Sequence, residues 1–278
     1  MIKFEHTVFA LPFAFLGALG ASHRWPSWEK VLWILAAMVG ARTAAMTFNR
    51  LVDADVDAEN PRTAGRGLPA GRVGSAVALA VLGGAIVLFG FSAGMLGPLT
   101  WKLAPIALAI ILGYSLCKRF TSWSHVVLGL SLAGAPLGAW IAVAGRFETP
   151  ALLLGLGVLA WTAGFDIIYA LQDEDFDRRS GLHSIPARFG TRGALWVSRL
   201  LHLGALGAWA FYNLSQGSLL LPWLGWFAVA GILLREQWIV WHGDLSRVDV
   251  AFFTLNSQVG LIFFTGHLAE RVFMSPMT

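Results

Sequence analysis

The chain is poor in charge and nearly free of cysteine. Of its 278 residues only 13% are charged, and Asp and Glu together number 16. Average soluble domains carry about 25% charged residues. A soluble fold built from this chain would have to bury almost every helix on all sides, which its size does not allow. The single cysteine, Cys117, excludes an intrachain disulfide and a cysteine-based metal site, and reads as a small core residue at a helix end. No basic stripe with interleaved aromatics is present, so nucleic acid is not an expected partner. No low-complexity tract or flexible linker divides the sequence, which predicts a single polytopic domain over residues 1–278. The stretch Met1 to Ala21 lacks the basic start of a secretory signal, having Glu5 and His6 there, and reads as the first spanning helix.

What is abundant is apolar surface. Hydrophobic residues make up 56% of the chain and mean hydropathy is +0.66. Nine apolar runs are candidates to cross a bilayer: Val8–Ala21, Val31–Asn49, Val73–Phe91, Leu103–Cys117, Val126–Val143, Ala151–Leu171, Ala194–Leu214, Leu219–Leu234 and Val250–His267. The first and fourth are short against the roughly 20 residues a crossing needs. Each is expected to be helical, because lipid offers no partner to open backbone groups. The expected fold class is an all-α integral membrane protein with nine transmembrane helices. Lys and Arg crowd into alternate loops, those around 50–72, 118–119, 178–192 and 235–247, on the side of Lys3. The positive-inside rule puts that side in the cytoplasm of a bacterial-type inner membrane.

The few acids are not spread evenly. Residues 49–59 and 166–177 hold nine of the sixteen. Crowded carboxylates beside a membrane raise one another's pKa and resist desolvation unless a cation is bound. Asn49, Asp53 and Asp57 are spaced i, i+4, i+8 and share one helical stripe, which leaves Asp55 and Glu59 off it. Asp166, Tyr169, Asp173 and Asp177 share another, with Glu174 and Asp175 directed elsewhere, toward solvent. Mg²⁺ takes a few carboxylates and completes its shell with water and phosphate oxygens, so two facing stripes suit metal ions bridging a diphosphate. Plain solvated helix ends are the competing reading, but acids at a helix C-terminus oppose the macrodipole.

Basic groups follow each stripe: Arg62 and Arg66 after the first, Arg178 and Arg179 after the second, and Lys118 and Arg119 after Tyr114 at the end of the fourth run. Any of them can neutralise a diphosphate, and each also fits an ordinary cytoplasmic-loop charge. Arg42 differs because it lies inside the second run. A charge at that depth marks function by default, and a planar guanidinium suits a ligand carboxylate. The alternative is a structural pair with Asp166 or a helix carbonyl.

At these residues the sequence resembles the UbiA superfamily of intramembrane prenyltransferases. The resemblance rests on Asn-x-x-x-Asp-x-x-x-Asp from Asn49 to Asp57, the Arg-Thr and Leu-Pro that follow, Tyr114 with Lys118-Arg119, and Asp166-x-x-Tyr-x-x-x-Asp-x-x-x-Asp. It extends to Gly181 through Pro186 and to Phe189-Gly190, and covers nearly the whole chain. It implies helices around a central cavity, with Mg²⁺ held by Asp53, Asp57, Asp173 and Asp177 against a polyprenyl diphosphate. Asn49 and Asp166 would position diphosphate or acceptor, and Lys118 and Arg119 would bind phosphate. Tyr114 and Tyr169 would shield an allylic cation with their ring faces.

The likeness is nearest to the 4-hydroxybenzoate polyprenyltransferase branch, which carries an Arg matching Arg42. The start, Lys3 to Phe13, looks more like enzymes that prenylate 1,4-dihydroxy-6-naphthoate for menaquinone. The implied activity is prenylation of an aromatic acid in ubiquinone or menaquinone biosynthesis, with the acceptor ring and oligomeric state left open. Competing readings are a family member acting on homogentisate, a porphyrin or a glycerol phosphate lipid, and a cation transporter. A transporter would place its carboxylates near mid-bilayer on broken helices.

Overall fold

The architecture comes from a computed structural model that describes residues 7–22, 25–59, 63, 65, 67, 68, 70–241, 248 and 254–273. Among the described residues there is no strand. The helices are α1 Thr7–Gly20, α2 Trp28–Val52, α3 Ala54–Glu59, α4 Ser75–Leu96, α5 Pro98–Cys117 and α6 Ser124–Ala144. After them come α7 Thr149–Ala170, α8 Glu174–Arg179, α9 Ile185–Ser215, α10 Leu220–Ile239 and α11 Asn256–Phe273. A 3-10 turn, Leu171–Asp173, joins α7 to α8.

Among the described residues, six helices are long and apolar enough to cross a membrane: α2, α4, α5, α6, the run through α7 and α8, and α9. Their outward faces are apolar, with Phe91 57% and Leu200 65% exposed, the reverse of a water-facing helix. The chain is a multi-pass membrane protein. The all-α class is as expected, but α1, α10 and α11 do not meet the same standard, so a count of nine crossings is not established. Pro12, Pro105 and Pro136 lie inside helices, as neighbouring helices in a membrane bundle permit.

Several boundaries differ from the sequence expectation for identifiable reasons. The third and fourth runs, Val73–Phe91 and Leu103–Cys117, leave Lys102 in the loop between them. It instead sits exposed in the first turns of α5, where a long side chain can reach the interface. Only Gly97 separates α4 from α5. Its φ of 142° excludes ordinary side chains, and Pro98 then opens the next helix without needing an N–H partner. α9 begins nine residues before the expected Ala194, at Ile185. Ser184 caps it by accepting the Ala187 N–H at 3.2 Å, and a non-helical Gly190 kinks its first turns.

The core forms around α7, whose residues are mostly buried, packed between α6 and α9. Phe9 and Phe13 of α1, Trp161 of α7, Trp209 of α9 and Phe263 of α11 interlock there, with Phe13 stacked on Trp209 at 5.3 Å. α6 approaches α7 closely because Gly129 lacks a side chain; a Cβ there would run into the Leu159 carbonyl oxygen. This contact lies one turn from His125 and sets the spacing of the helices that carry the site.

Candidate active site

A cavity of about 1530 Å³ runs between α2, α4, α5, α6 and α7. That exceeds the roughly 300–1,000 Å³ of ordinary small-molecule pockets. From Thr100 to Tyr114 on α5 its wall spans about 21 Å of helix rise. One end is apolar, bounded by Ile34, Leu96, Leu103 and Ile141. The other holds Arg42, Asn49, Asp166, Tyr114 and Tyr169, so all five of these sequence candidates meet in one space. Arg50, Arg72 and Gln172 also line it, although sequence reasoning gave them no role.

The two acidic stripes lie at the rim of the polar end. Asp53 caps α2, and the i to i−4 hydrogen bonds continue through it: Asp53 N–H to Asn49 O at 2.9 Å and Asp57 N–H to Asp53 O at 2.7 Å. The first stripe therefore survives the junction with α3. Asp57 is buried while Asp55 and Glu59 are exposed, as the spacing required. In the second stripe the 3-10 turn interrupts the helix, yet Asp173 and Asp177 are both buried and Asp175 is exposed. Glu174 departs from expectation. It is half-buried, accepting from Thr191 at 2.8 Å and pairing with Arg178 at 2.9 Å, rather than facing solvent.

Adjacent residues at the end of α5 tie the stripes together. Arg119 Nη2 lies 3.8 Å from Asp53 Oδ1, and Lys118 Nζ lies 3.5 Å from Asp177 Oδ2. Arg119 also donates to the Val52 carbonyl at 2.6 Å, placing a cation at the negative end of α2. Asn49 donates to Asp53 Oδ2 at 2.7 Å, and Arg50 Nη1 sits 3.5 Å from Asp57 Oδ2. Thr63 donates to the Asp57 backbone oxygen at 3.0 Å and pins the chain leaving α3. Burial, and secondarily the charge of Asp57, hold the Asp53 carboxyl above its ordinary pKa, against the opposing pull of Arg119, Lys118 and Asn49. Asp177 Oδ2 is buried and makes no hydrogen bond.

Not every candidate reaches the site. Arg178 is drawn away, donating to the Ala187 carbonyl at 3.1 Å and pairing with Glu174. Arg62 and Arg66 lie outside the described residues, as do Lys3 and His6. For Arg42 the alternative is a structural pair with Asp166 or a helix carbonyl; the partner the structure gives Asp166 Oδ2 is His125 Nδ1, at 2.7 Å. His125 went unremarked in the sequence. The available signal was its position at the start of an apolar span, where an ionisable residue marks function by default.

A model of the UbiA prenyltransferase family matches residues 10–258. The chain belongs to the UbiA prenyltransferase family. Among relatives of this UbiA protein, the 4-hydroxybenzoate octaprenyltransferase of Tolumonas auensis is 31% identical over 248 residues, covering 87% of this chain and 84% of its own. A solved UbiA homologue from Aeropyrum pernix K1 is 33% identical with a TM-score of 0.88, covering 97% of this chain and 99% of its own. A UbiA homologue from Archaeoglobus fulgidus bound to DMAPP and Mg²⁺ shares the fold, with a TM-score of 0.76 at 20% identity over 96% of each chain. The protein is thus a membrane-embedded prenyltransferase, in agreement with the resemblance carried by its acidic motifs.

Proposed function

We propose that this UbiA protein transfers a polyprenyl group from a polyprenyl diphosphate to an aromatic acid, with 4-hydroxybenzoate as the first acceptor to test. The observation that carries this reading is the pair Lys118 and Arg119. Neighbours in sequence, they bind opposite acidic stripes, which makes the stripes two walls of one anion-binding mouth. Above it are carboxylates with cations between them; below it is a long apolar chamber suited to an isoprenoid tail. Arg42 lines that chamber and can receive a carboxylate.

A divalent cation fits the donor set in a restricted way. Among the described residues no three Asp, Glu, His or Cys side chains converge to enclose a metal alone. Asp177 Oδ2 is buried and ion-paired with Lys118 at 3.5 Å yet makes no hydrogen bond, and burial disfavours the ionised form of Asp53. These features match Mg²⁺ shared between carboxylates, water and diphosphate rather than a protein cage. Asp53 and Asp57 on one side and Asp173 and Asp177 on the other would hold it, and it would neutralise the departing diphosphate.

The remaining work falls to this chain's own groups. Lys118 and Arg119 hold diphosphate oxygens when substrate displaces their carboxylate partners. Tyr114 and Tyr169 present ring faces to the positive charge left on the prenyl carbon, where water would otherwise react. Asn49 and Asp166 orient the acceptor between Arg42 and the diphosphate. The site faces the cytoplasm, within one polytopic domain. The test uses purified protein in proteoliposomes with labelled polyprenyl diphosphate, Mg²⁺ and either 4-hydroxybenzoate or 1,4-dihydroxy-6-naphthoate. Label in 4-hydroxybenzoate is the expected result. Label only in the naphthoate moves the acceptor to the menaquinone branch, and label in neither acid contradicts the reading.

A further inference from the structure

Asp166 faces the cavity, yet it is held from behind. His125, the second residue of α6, is fully buried, and its Nδ1 lies 2.7 Å from Asp166 Oδ2 on α7. On the opposite edge of the ring, the Ile185 N–H donates to His125 Nε2 at 3.4 Å. That contact favours the tautomer with the proton on Nδ1. A backbone N–H can only donate, which suits an Nε2 without a proton and leaves Nδ1 to donate to Asp166. Through the 2.7 Å contact the ring orients the carboxylate.

The ring is anchored through the same segment that shapes the anion-binding mouth. Ile185 is the first residue of α9, where helix amides lack an internal partner. Two residues earlier, the His183 N–H donates to the Lys118 carbonyl at 2.7 Å. One short stretch, 183–185, thus joins the end of α5, which carries Lys118, to the ring that steadies Asp166. Of Asp166's two oxygens, Oδ2 is committed to His125. No other described group bonds this carboxylate, which is part-exposed at the cavity wall and so retains acceptor capacity.

We propose that His125 is a positioning residue for the acceptor half of the site, acting through Asp166. It holds the Asp166 carboxylate in one rotamer and leaves the second oxygen to accept a hydrogen bond from the acceptor's hydroxyl. The proposal rests on the prenyltransferase reading given above and adds to it a residue that never touches substrate. It divides the labour of the cavity: Arg42 takes the acid end of the acceptor, and the His125–Asp166 pair takes the hydroxyl end.

The test is a double-mutant cycle on His125→Ala and Asp166→Asn in proteoliposomes, with His125→Asn and His125→Gln alongside. His125→Ala should lower kcat/KM for the acceptor by about 10- to 100-fold, the scale of a hydrogen bond to a charged group. The KM for prenyl diphosphate should stay unchanged. In the Asp166→Asn background the same change should cost nothing further. His125→Asn keeps a donor near the Nδ1 position and should recover most of the activity, while His125→Gln, whose amide extends toward the Nε2 position, should not. Equal cost in both backgrounds, a parallel rise in prenyl-diphosphate KM, or equal activity of the Asn and Gln variants would overturn the proposal.

A second readout needs no turnover. The Asp166 carboxylate stretch, isolated as the infrared difference between wild type and Asp166→Asn, should shift in His125→Ala and return in His125→Asn. An unmoved band would also overturn the proposal. A wild-type protein that prenylates neither acid but shows this shift would instead count against the functional reading alone.

Discussion

Replacing Arg42 with Ala should separate acceptor recognition from diphosphate recognition. Arg42 and Asn49 line the same cavity on α2, seven residues apart, and Asp53 follows four residues later. Eleven residues of helix place Arg42 about 16 Å from Asp53 along the axis. Helical side chains also lean toward the N-terminus, which takes the guanidinium further from the acidic stripes. At that distance its guanidinium cannot hydrogen-bond a diphosphate held at the acidic stripes, so it makes no direct contribution to diphosphate binding. Its loss should fall on the acceptor's carboxylate. A hydrogen bond to a charged group contributes about 1.5–3 kcal/mol, which predicts a fall of about 10- to 150-fold in kcat/KM for 4-hydroxybenzoate. The discriminating control is 4-hydroxybenzamide, which has the same ring but no charge. The variant should leave the amide near its wild-type rate and leave the KM for prenyl diphosphate unchanged. Equal losses on acid and amide, or a raised prenyl-diphosphate KM, would refute the assignment.

Two further outcomes follow from the geometry. Only an ionised carboxylate binds a cation, and Asp53 is held above the ordinary value of about 3.9, so Mg²⁺ affinity should begin to fall at a higher pH than a free Asp would give. Calorimetric titration across that range checks this, and a pH-independent affinity would contradict it; in the metal-free protein the linkage runs the other way, with stability gained as pH falls through the raised Asp53 pKa. Gly129→Ala drives a methyl group into the Leu159 carbonyl, so it should cost about 1–3 kcal/mol in detergent-solubilised unfolding and also lower acceptor turnover, because α6 carries His125; wild-type stability would show that the close contact of α6 and α7 is dispensable.

Much of this arrangement was legible in the chain. The acidic stripes were visible because helical spacing sorts Asp53 and Asp57 from Asp55 and Glu59, and burial in the structure follows the same division. The order of apolar runs matched the order of helices, since hydrophobic length alone dictates a helix in lipid. Lys102 misled because a charge near a helix start can sit at the interface without ending the helix. The partners of Arg178 were not legible either: sequence places it beside the second stripe, and the kinked start of α9 gives it the Ala187 carbonyl. His125 was missed because its partners, Asp166 and Ile185, are 41 and 60 residues away, and no local spacing encodes a contact of that kind.

If the two stripes form one site, removing a charge from either should disable both. Asp53→Asn and Asp177→Asn each remove one charge with little change of shape, and burial already disfavours the ionised form of Asp53, so the fold should hold. The measurement is Mg²⁺-dependent binding of a non-hydrolysable prenyl thiolodiphosphate to each variant and to the double variant. If Lys118 and Arg119 join two walls of one clamp, each single change should abolish most of the binding, and the second should add little to the first. Retained binding in either single variant, or losses that simply add, would contradict a shared diphosphate site.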